Sequence, residues 1–270
     1  MLRRTSLAGS VVVLGVASLV LAACGGSSSG GASSSAPASE GASTPASDSA
    51  SASPTGECTN DTLKLGTLLP ATGDLAFLGP PMFAAVDVAV ADIDAAGGVL
   101  GKPVVLDIGD SGDTSTDVAS QTVDAQLAKG VQVILGAASS GVSLTVIDKI
   151  TSNGVVQISP ANTAPALTDY PDNGLYFRTA PSDVLQGAVI GQVAAGEGYT
   201  SGATIAREDP YGVGLQDAFV ADFEGSGGTI TSKLTYDPAA ADFAAEVAEL
   251  KAGNPEFVVV IGFDETVKLV

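Results

Sequence analysis

Three short segments carry polar side chains of the kind that bind a small charged molecule. The first, residues 137–141, contains Ser139 and Ser140 immediately before a predicted helix. A helix N-terminus offers free N–H groups and partial positive charge, and a serine hydroxyl adds a further donor, so this segment suits a carboxylate. Taken alone, the same residues are better explained as the N-cap of that helix.

The second and third segments offer complementary groups. In residues 158–165, the Thr163 side chain can contact an anion or an ammonium, and the backbone carbonyl of Ala161 can accept from an ammonium. The alternative for this segment is a turn that uses Ser, Asn and Pro. In residues 207–214, Tyr211 stands at a helix start. There it can cover a bound solute or simply pack on its own part of the fold.

Chemistry beyond binding has little support. The chain has no histidine, which removes Ser-His and Cys-His nucleophile pairs and the commonest zinc ligand. Residues 136–141 are not GxGxxG and no GK[ST] follows a glycine loop, so a dinucleotide or ATP site is disfavoured. Asp110, Asp113 and Asp209 follow predicted strands, and each is better explained as a turn or capping residue. We therefore expect no metal, no cofactor and no catalysis.

The charge balance excludes two classes of partner. The 270 residues include 30 acids against 11 bases, which gives a formal charge of −19. No basic cluster exists beyond Arg3 and Arg4. A nucleic-acid partner and adhesion to an anionic membrane by charge are therefore disfavoured. With 45% hydrophobic residues, the composition is globular and allows one sizeable core or two smaller ones.

The N-terminus is typical of an exported protein. Arg3 and Arg4 precede an uncharged apolar run of about 16 residues, shorter than the ~20 that span a bilayer. A single membrane-spanning helix is the alternative. Residues 21–24, Leu-Ala-Ala-Cys, resemble the bacterial lipobox, which implies a signal peptide over residues 1–24 and a diacylglyceryl group on Cys24. The alternative is an unmodified cysteine beside an ordinary cleavage site.

A low-complexity stretch follows. Residues 25–56 are almost entirely Gly, Ser, Ala, Pro and Thr, which predicts a disordered tether with an end-to-end distance of about 30 Å. A spacer without selected length is the alternative. Cys58 is then the odd cysteine in an oxidising compartment. We expect its partner beyond Val270, or else a free buried thiol.

Strand and helix patterns alternate from residue 63 onward. Short apolar runs are separated by segments with helical spacing, such as 81–96. The next helix is expected to begin at Thr114 or Ser115 and to run through Lys129. Strands this apolar are expected to be buried on both faces, with the helices forming parallel crossovers between them.

This alternation predicts an α/β fold of doubly wound parallel sheets flanked by helices. A break around residues 171–182 divides it into a first lobe, residues 57–180, and a second lobe, residues 181–270. Ligands of such sheets bind at the carboxyl ends of the strands. All three polar segments follow predicted strands there.

Five short motifs occur in the order and spacing of one known protein family. The motifs are residues 65–66 with 70–73 (Leu-Gly and Pro-Ala-Thr-Gly), 92–98 (Asp-Ile-Asp-Ala-Ala-Gly-Gly), 158–163 (Ile-Ser-Pro-Ala-Asn-Thr), 176–179 (Tyr-Phe-Arg-Thr) and 209–212 (Asp-Pro-Tyr-Gly). Each motif is weak alone. Their order and spacing over about residues 61–270 resemble the leucine/isoleucine/valine-binding protein family of periplasmic-binding fold type I.

That resemblance implies two lobes that close over an amino acid. It places Ser139 and Thr163 on the ligand carboxylate, and Ala161 and Thr163 on part of the ammonium. Tyr211 and Phe263 would lie across from them on the second lobe. Leu78 would contact the ligand side chain.

The sequence departs from that family in several places. Leu78 and Phe263 stand where the best-known amino-acid binders carry aromatics, commonly tyrosine at the second position. The first-lobe cysteine pair of some members is missing, with 109–112 and Ala138 in its place. The acidic residue that pairs the ligand ammonium would lie past Val270. Binders of amides, urea or other short solutes therefore stay as alternatives.

The resemblance also implies a role and a location. It implies a monomeric, non-catalytic lipoprotein that delivers a solute to the permease subunits of an ABC importer, anchored to the outer face of the cell membrane. The alternatives are a sensing ectodomain of the same fold and, with less support, a secreted lipoprotein enzyme. Family members continue well past the position of Val270. We therefore expect the second part of both lobes to be missing, and this exact chain to fold poorly and bind nothing.

Overall fold

The computed structural model describes residues 62–270, which form two parallel sheets flanked by helices. Four predictions concern residues outside the described part of the chain. These are the signal peptide over 1–24, the lipid on Cys24, the tether over 25–56 and the pairing of Cys58.

The first sheet is the larger one. Its strands are β1 (Lys64–Leu68), β2 (Val105–Asp107), β3 (Val133–Gly136), β4 (Val156–Ser159) and β5 (Tyr176–Arg178). Their order is β2-β1-β3-β4-β5 and every neighbouring pair is parallel. The accompanying helices are α1 (Gly79–Ala95), α2 (Val118–Ala128) and α3 (Ser140–Ser152). A core cluster that includes Leu68, Ile134 and Val146 joins this sheet to its helices.

The second sheet has three strands. They are β6 (Ser201–Arg207), β7 (Thr229–Tyr236) and β8 (Phe257–Ile261), in the order β7-β6-β8 and again parallel. Its helices are α4 (Asp183–Gly196), α5 (Pro210–Gly225) and α6 (Ala244–Ala252). Short 3-10 turns cover 76–78, 165–167 and 264–268. The predicted boundary between residues 180 and 181 falls in the connection from β5 to α4, and the division into lobes there stays a prediction.

Helices α4 and α5 pack unusually closely because α4 presents glycine at the contact. A Cβ atom added to Gly187 would lie 2.5 Å from the Cβ of Ala218 and 2.5 Å from the backbone nitrogen of Phe219. Gly191, one turn later, would meet Asp222 at the same distance. The two backbones can approach this closely only without a side chain at these positions.

The predicted α/β class with doubly wound parallel sheets is confirmed. Burial on both faces holds for the central strands: β1 and β6 are buried at every residue after the first. It is wrong for the edge strands of both sheets. Strands β7 and β8 alternate between exposed and covered residues, and β2 and β5 of the first sheet expose Val105 and Phe177.

One helix begins later than expected. Helix α2 starts at Val118 with Asp117 as its N-cap, not at Thr114 or Ser115. The reason is local: the Asp113 carboxylate accepts a hydrogen bond from the Ser115 N–H at 2.9 Å and folds this stretch into a turn. Side chain–backbone bonds of this kind compete with the first turn of a helix.

Candidate functional site

A cavity of about 740 Å³ lies where the carboxyl ends of both sheets meet. The first sheet contributes residues that follow β1, β3 and β4, and the second contributes residues that follow β6 and β8. The lining residues are Leu75, Phe77, Leu78, Ala138, Ser140, Ala161, Thr163, Gln186, Tyr211, 262–264, Thr266, Val267 and Val270. This is the position at which parallel sheets bind their ligands.

Two adjacent serines after β3 have different roles. The Ser139 hydroxyl accepts from the Val142 N–H at 3.4 Å and caps α3. The buried Ser140 hydroxyl accepts from the N–H groups of Thr163 and Ala164, both at 3.2 Å. A serine oxygen has two lone pairs and one proton, so the Ser140 proton is left to donate. The wall formed by Ser140 therefore carries one hydroxyl donor at the start of a helix.

The loop after β4 is fixed by hydrogen bonds of the Ser159 and Asn162 side chains. The Ser159 hydroxyl donates to the Ala137 carbonyl at 2.6 Å and accepts from the N–H groups of Ala161 and Asn162. The Asn162 amide donates to the Ala138 carbonyl at 2.9 Å. Because these bonds fix the loop, Ala161 and Thr163, which both line the cavity, need no further ordering when a ligand arrives.

A buried acid stands directly behind this loop. Asp183 is 0% exposed, and its N–H donates to the Thr163 carbonyl at 2.8 Å. One carboxylate oxygen, Oδ1, accepts from the Gln186 amide at 3.2 Å. The other, Oδ2, has no hydrogen-bond partner within residues 62–270. Thr163 and Gln186 both line the cavity, so this acid lies directly behind its lining.

The electrostatics of Asp183 follow from that burial. Burial raises the pKa of the Asp183 carboxyl to about 6. The Thr163 hydroxyl and the Arg178 charge oppose the shift, and the Asp209 charge adds to it. Burial, followed by the nearby Asp183 charge, also raises the pKa of the Tyr211 hydroxyl. At neutral pH the site therefore holds a poorly compensated negative charge, the kind of environment that favours a cation.

An aromatic pair forms the opposite wall. The rings of Tyr211 and Phe263 stack with centres 5.5 Å apart and planes 9° from parallel. Tyr211 lies in the first turn of α5, whose N-cap Asp209 accepts from the Gly212 N–H at 2.7 Å. Tyr211 packs on its own sheet's Phe263 and also lines the cavity. That its ring covers a bound solute stays a prediction.

Six of the seven residues predicted as ligand contacts line this one cavity: Leu78, Ser140, Ala161, Thr163, Tyr211 and Phe263. Ser139 does not. It lies instead in a small adjoining cleft with Arg207 and Phe263. The contact that each residue makes with a ligand stays a prediction. In the part of the chain that the structure describes, no group of His, Cys, Asp and Glu is arranged to hold a metal ion.

Sequence reasoning missed Asp183 and Gln186. An acid in the first turn of a helix is common, because negative charge is favoured there. The sequence gives no sign that this particular acid is buried. The one feature of the sequence that could have pointed to Asp183 is that it follows closely after the Tyr176-Phe177-Arg178-Thr179 motif.

Comparisons with known proteins agree with this geometry. A family model described as "Periplasmic binding protein" matches residues 62–270. The chain is 31% identical over 205 residues to "Leu/Ile/Val-binding protein homolog 3" of Brucella melitensis and 29% identical to "Leu/Ile/Val-binding protein BraC3" of Rhizobium johnstonii. Each match covers 74% of this chain and 54% of the relative, so the chain spans about half the length of these curated relatives.

Solved structures give the same result. The leucine-binding protein LivK of Thermotoga maritima is 25% identical with a TM-score of 0.67, covering 74% of this chain and 56% of LivK. The branched-chain amino acid transporter substrate-binding protein LivJ of Streptococcus pneumoniae, in complex with isoleucine, is 26% identical with a TM-score of 0.66. This match covers 74% of the chain and 57% of LivJ.

Proposed function

The chain belongs to the periplasmic binding protein family, and from that premise we propose that it binds a small solute bearing a carboxylate and an ammonium in the cavity between its sheets. A branched-chain amino acid is the solute that these groups fit best. The cavity volume of about 740 Å³ lies in the range of small-molecule sites. The observation that carries the proposal is the unpartnered, fully buried Asp183 oxygen directly behind two residues that line the cavity, Thr163 and Gln186.

The carboxylate of the solute is assigned to the start of α3. The Ser140 proton is free to donate, and the first N–H groups of a helix have no acceptor within the helix. A carboxylate there would also benefit from the helix dipole. Each hydrogen bond to such a charged group contributes about 1.5–3 kcal/mol.

The ammonium of the solute is assigned to Ala161 and Thr163, with Asp183 directly behind them. The Ala161 carbonyl is an acceptor, and the Thr163 hydroxyl oxygen can also accept. A buried carboxylate without a cation is unfavourable, so an arriving ammonium relieves a cost that the empty site carries. We propose Asp183 as an acid for the ammonium in addition to the one that the family resemblance implies past Val270.

The apolar side chain of the solute is assigned to the remaining surface. Leu75 and Leu78 line the cavity from the first sheet, and Tyr211 and Phe263 line it from the second. These groups give an aliphatic chain an apolar environment worth about 25 cal/mol per Å² of area buried. The Leu78 and Phe263 side chains offer no hydroxyl, which favours an unsubstituted hydrocarbon chain.

The biological setting forms part of the same proposal. We place the protein outside the cytoplasm, held by a lipid on Cys24, where it passes its solute to ABC permease subunits without chemical change. Its relatives that bear names are solute-binding proteins, which supports a role without catalysis.

A ligand panel on the full-length protein tests the assignment. L-leucine, 4-methylpentanoate (leucine without its ammonium) and isoamylamine (leucine without its carboxylate) are compared by thermal shift and calorimetric titration at pH 7. We expect L-leucine to bind, and each analogue to bind at least about tenfold more weakly, which corresponds to 1.4 kcal/mol. Binding of acetamide or urea with no binding of L-leucine would replace the amino acid by an amide. Equal binding of isoamylamine and L-leucine would refute the carboxylate assignment.

A further inference from the structure

A single buried arginine gathers three acids next to the cavity. Arg207 is the last residue of β6, and its side chain is 5% exposed. Its Nε donates to Asp209 at 2.9 Å, one terminal nitrogen donates to Glu265 at 2.9 Å, and the other donates to Asp74 at 2.6 Å. Guanidinium–carboxylate bonds of this length are charge-assisted and strong.

The three acids are not equivalent. Asp209 and Glu265 belong to the second sheet's own loops and are fixed by other donors: Gly212 N–H for Asp209, Tyr236 O–H and Phe263 N–H for Glu265. Asp74 comes from the loop after β1 in the first sheet, and its side chain is 45% exposed. The Arg207–Asp74 bond is therefore a direct ionic link between the two sheets, formed in the small cleft that adjoins the cavity.

The arginine is also tied to the cavity wall. Its guanidinium carbon lies 4.4 Å from the centre of the Phe263 ring, within the range of a cation–π contact. Phe263 in turn stacks on Tyr211, and both rings line the cavity. Arg207, Phe263 and Tyr211 thus form a continuous column from the ionic link to the proposed solute position.

We propose that Arg207 and Asp74 form a clasp that holds the two sheets closed over the cavity and lengthens the residence time of a bound solute. Two acids of its own sheet hold Arg207 in place whether or not Asp74 is present. Closing therefore orders only the Asp74 side chain, and the cost of closing is small. The link breaks when the sheets separate, so its free energy belongs to the closed form alone. The effect on residence time rests on the proposed solute-binding function, whereas the closed fraction without solute does not.

The test uses Asp74→Ala, because removing this half-exposed acid leaves the buried arginine with two partners. Asp217→Ala is the matched control. It removes the same charge from an exposed ion pair with Lys233 that lies within the second sheet's own elements. Dyes on p-acetylphenylalanine introduced at Ala85 and Ala248, exposed residues of α1 and α6, report the closed fraction by single-molecule energy transfer on full-length protein. Stopped-flow then gives the dissociation rate of L-leucine.

We expect Asp74→Ala to lower the closed-to-open ratio without solute by about fivefold at low salt, and to speed L-leucine dissociation by a similar factor. Asp74→Glu should keep most of the closed fraction, and Asp217→Ala should match the wild type. At 1 M NaCl, where the Debye length is about 3 Å, the Asp74→Ala difference should shrink. An unchanged closed fraction in Asp74→Ala would overturn the clasp. A lower closed fraction with unchanged dissociation would overturn its role in residence time. Failure of L-leucine to bind the wild type counts against the proposed function, and the measurement without solute then decides the clasp by itself.

Discussion

Replacing Asp183 by asparagine is expected to stabilise the folded protein and weaken solute binding at the same time. The acid is fully buried with one oxygen unpartnered, so its charge is a cost to the empty fold. If that charge pairs a solute ammonium, removing it should raise the stability of the fold and lower the affinity for the solute. Stability–function conflicts of this kind are typical of binding sites.

The size of the effect follows from the pKa. The folded-state pKa of Asp183 is about 6 against an ordinary value of 3.8, a difference that corresponds to about 3 kcal/mol. Because the folded pKa is raised, the fold favours the neutral acid. That stabilisation is complete below the ordinary pKa and is lost as the pH rises through about 6. At pH 7 the wild type carries the full cost.

The asparagine variant carries no charge at any pH, but its amide N–H needs an acceptor in the same buried position. Allowing for an imperfect bond, we expect a net gain of about 1–2 kcal/mol at pH 7. The difference in the free energy of unfolding between the variant and the wild type should narrow by about 1 kcal/mol at pH 5, where the wild-type acid is mostly protonated. L-leucine affinity should fall about 10- to 100-fold in the variant at pH 7. The affinity of the wild type for L-leucine should fall about tenfold between pH 7 and pH 5.

Urea denaturation at both pH values and calorimetric titration with L-leucine measure the two effects. Asp222→Asn is the matched control. Asp222 also has a buried unpartnered oxygen, but it lies beside Gly191 at the contact of α4 and α5. Asp183, in contrast, is hydrogen-bonded to Thr163 and Gln186, which line the cavity. We expect Asp222→Asn to leave L-leucine affinity unchanged. Wild-type affinity in Asp183→Asn, or a loss of stability at pH 7 with no change in affinity, would refute this account of the acid.

Three further pairs of substitutions test separate parts of the structure. Ser140→Ala removes the acceptor for two N–H groups after β4 and should cost about 1–3 kcal/mol of stability and at least about tenfold in L-leucine affinity. Ser139→Ala should remove only a helix cap, about 1 kcal/mol, with affinity nearly unchanged; equal losses of affinity would contradict the distinction. Gly187→Ala should destabilise by about 1–3 kcal/mol in urea denaturation because α5 backbone stands in the way, whereas Gly196→Ala, facing open space, should be neutral or slightly stabilising. Tyr211→Phe keeps the aromatic stack and should bind L-leucine within about threefold of wild type, whereas Tyr211→Ala should lose about tenfold or more; equal affinities would show that the ring does not contact the solute.

The alternation of elements was predictable because it depends on local patterns. Apolar runs bounded by glycine and proline specify strands such as β1 and β6, and their burial follows from the parallel topology. The edge positions of β7 and β8 were not predictable, because strand order depends on contacts between distant segments. The late start of α2 was not predicted because Thr114 and Ser115 are both residue types that commonly cap a helix. In the structure, the Asp113 carboxylate accepts a hydrogen bond from the Ser115 N–H and forms a turn there.

The candidate site was predictable where a short motif positions it and unpredictable where packing does. Ala161 and Thr163 sit in a loop whose Ser-Pro-Ala-Asn-Thr motif fixes its own geometry. The role proposed for Asp183 depends on its burial behind that loop, which no local pattern in the sequence indicates. The clasp joins Arg207 to Asp74 across 133 residues, and Glu265, which helps to hold the arginine, lies 58 residues from it, so no local pattern can reveal this arrangement.

A crystal structure of the full-length protein with L-leucine tests the central claim most directly. We predict the amino acid in the cavity between the two sheets, its carboxylate at Ser140 and the start of α3, and its ammonium at the Ala161 carbonyl and Thr163, with Asp183 directly behind them. L-leucine bound elsewhere, or bound with its ammonium at the start of α3, would contradict the account.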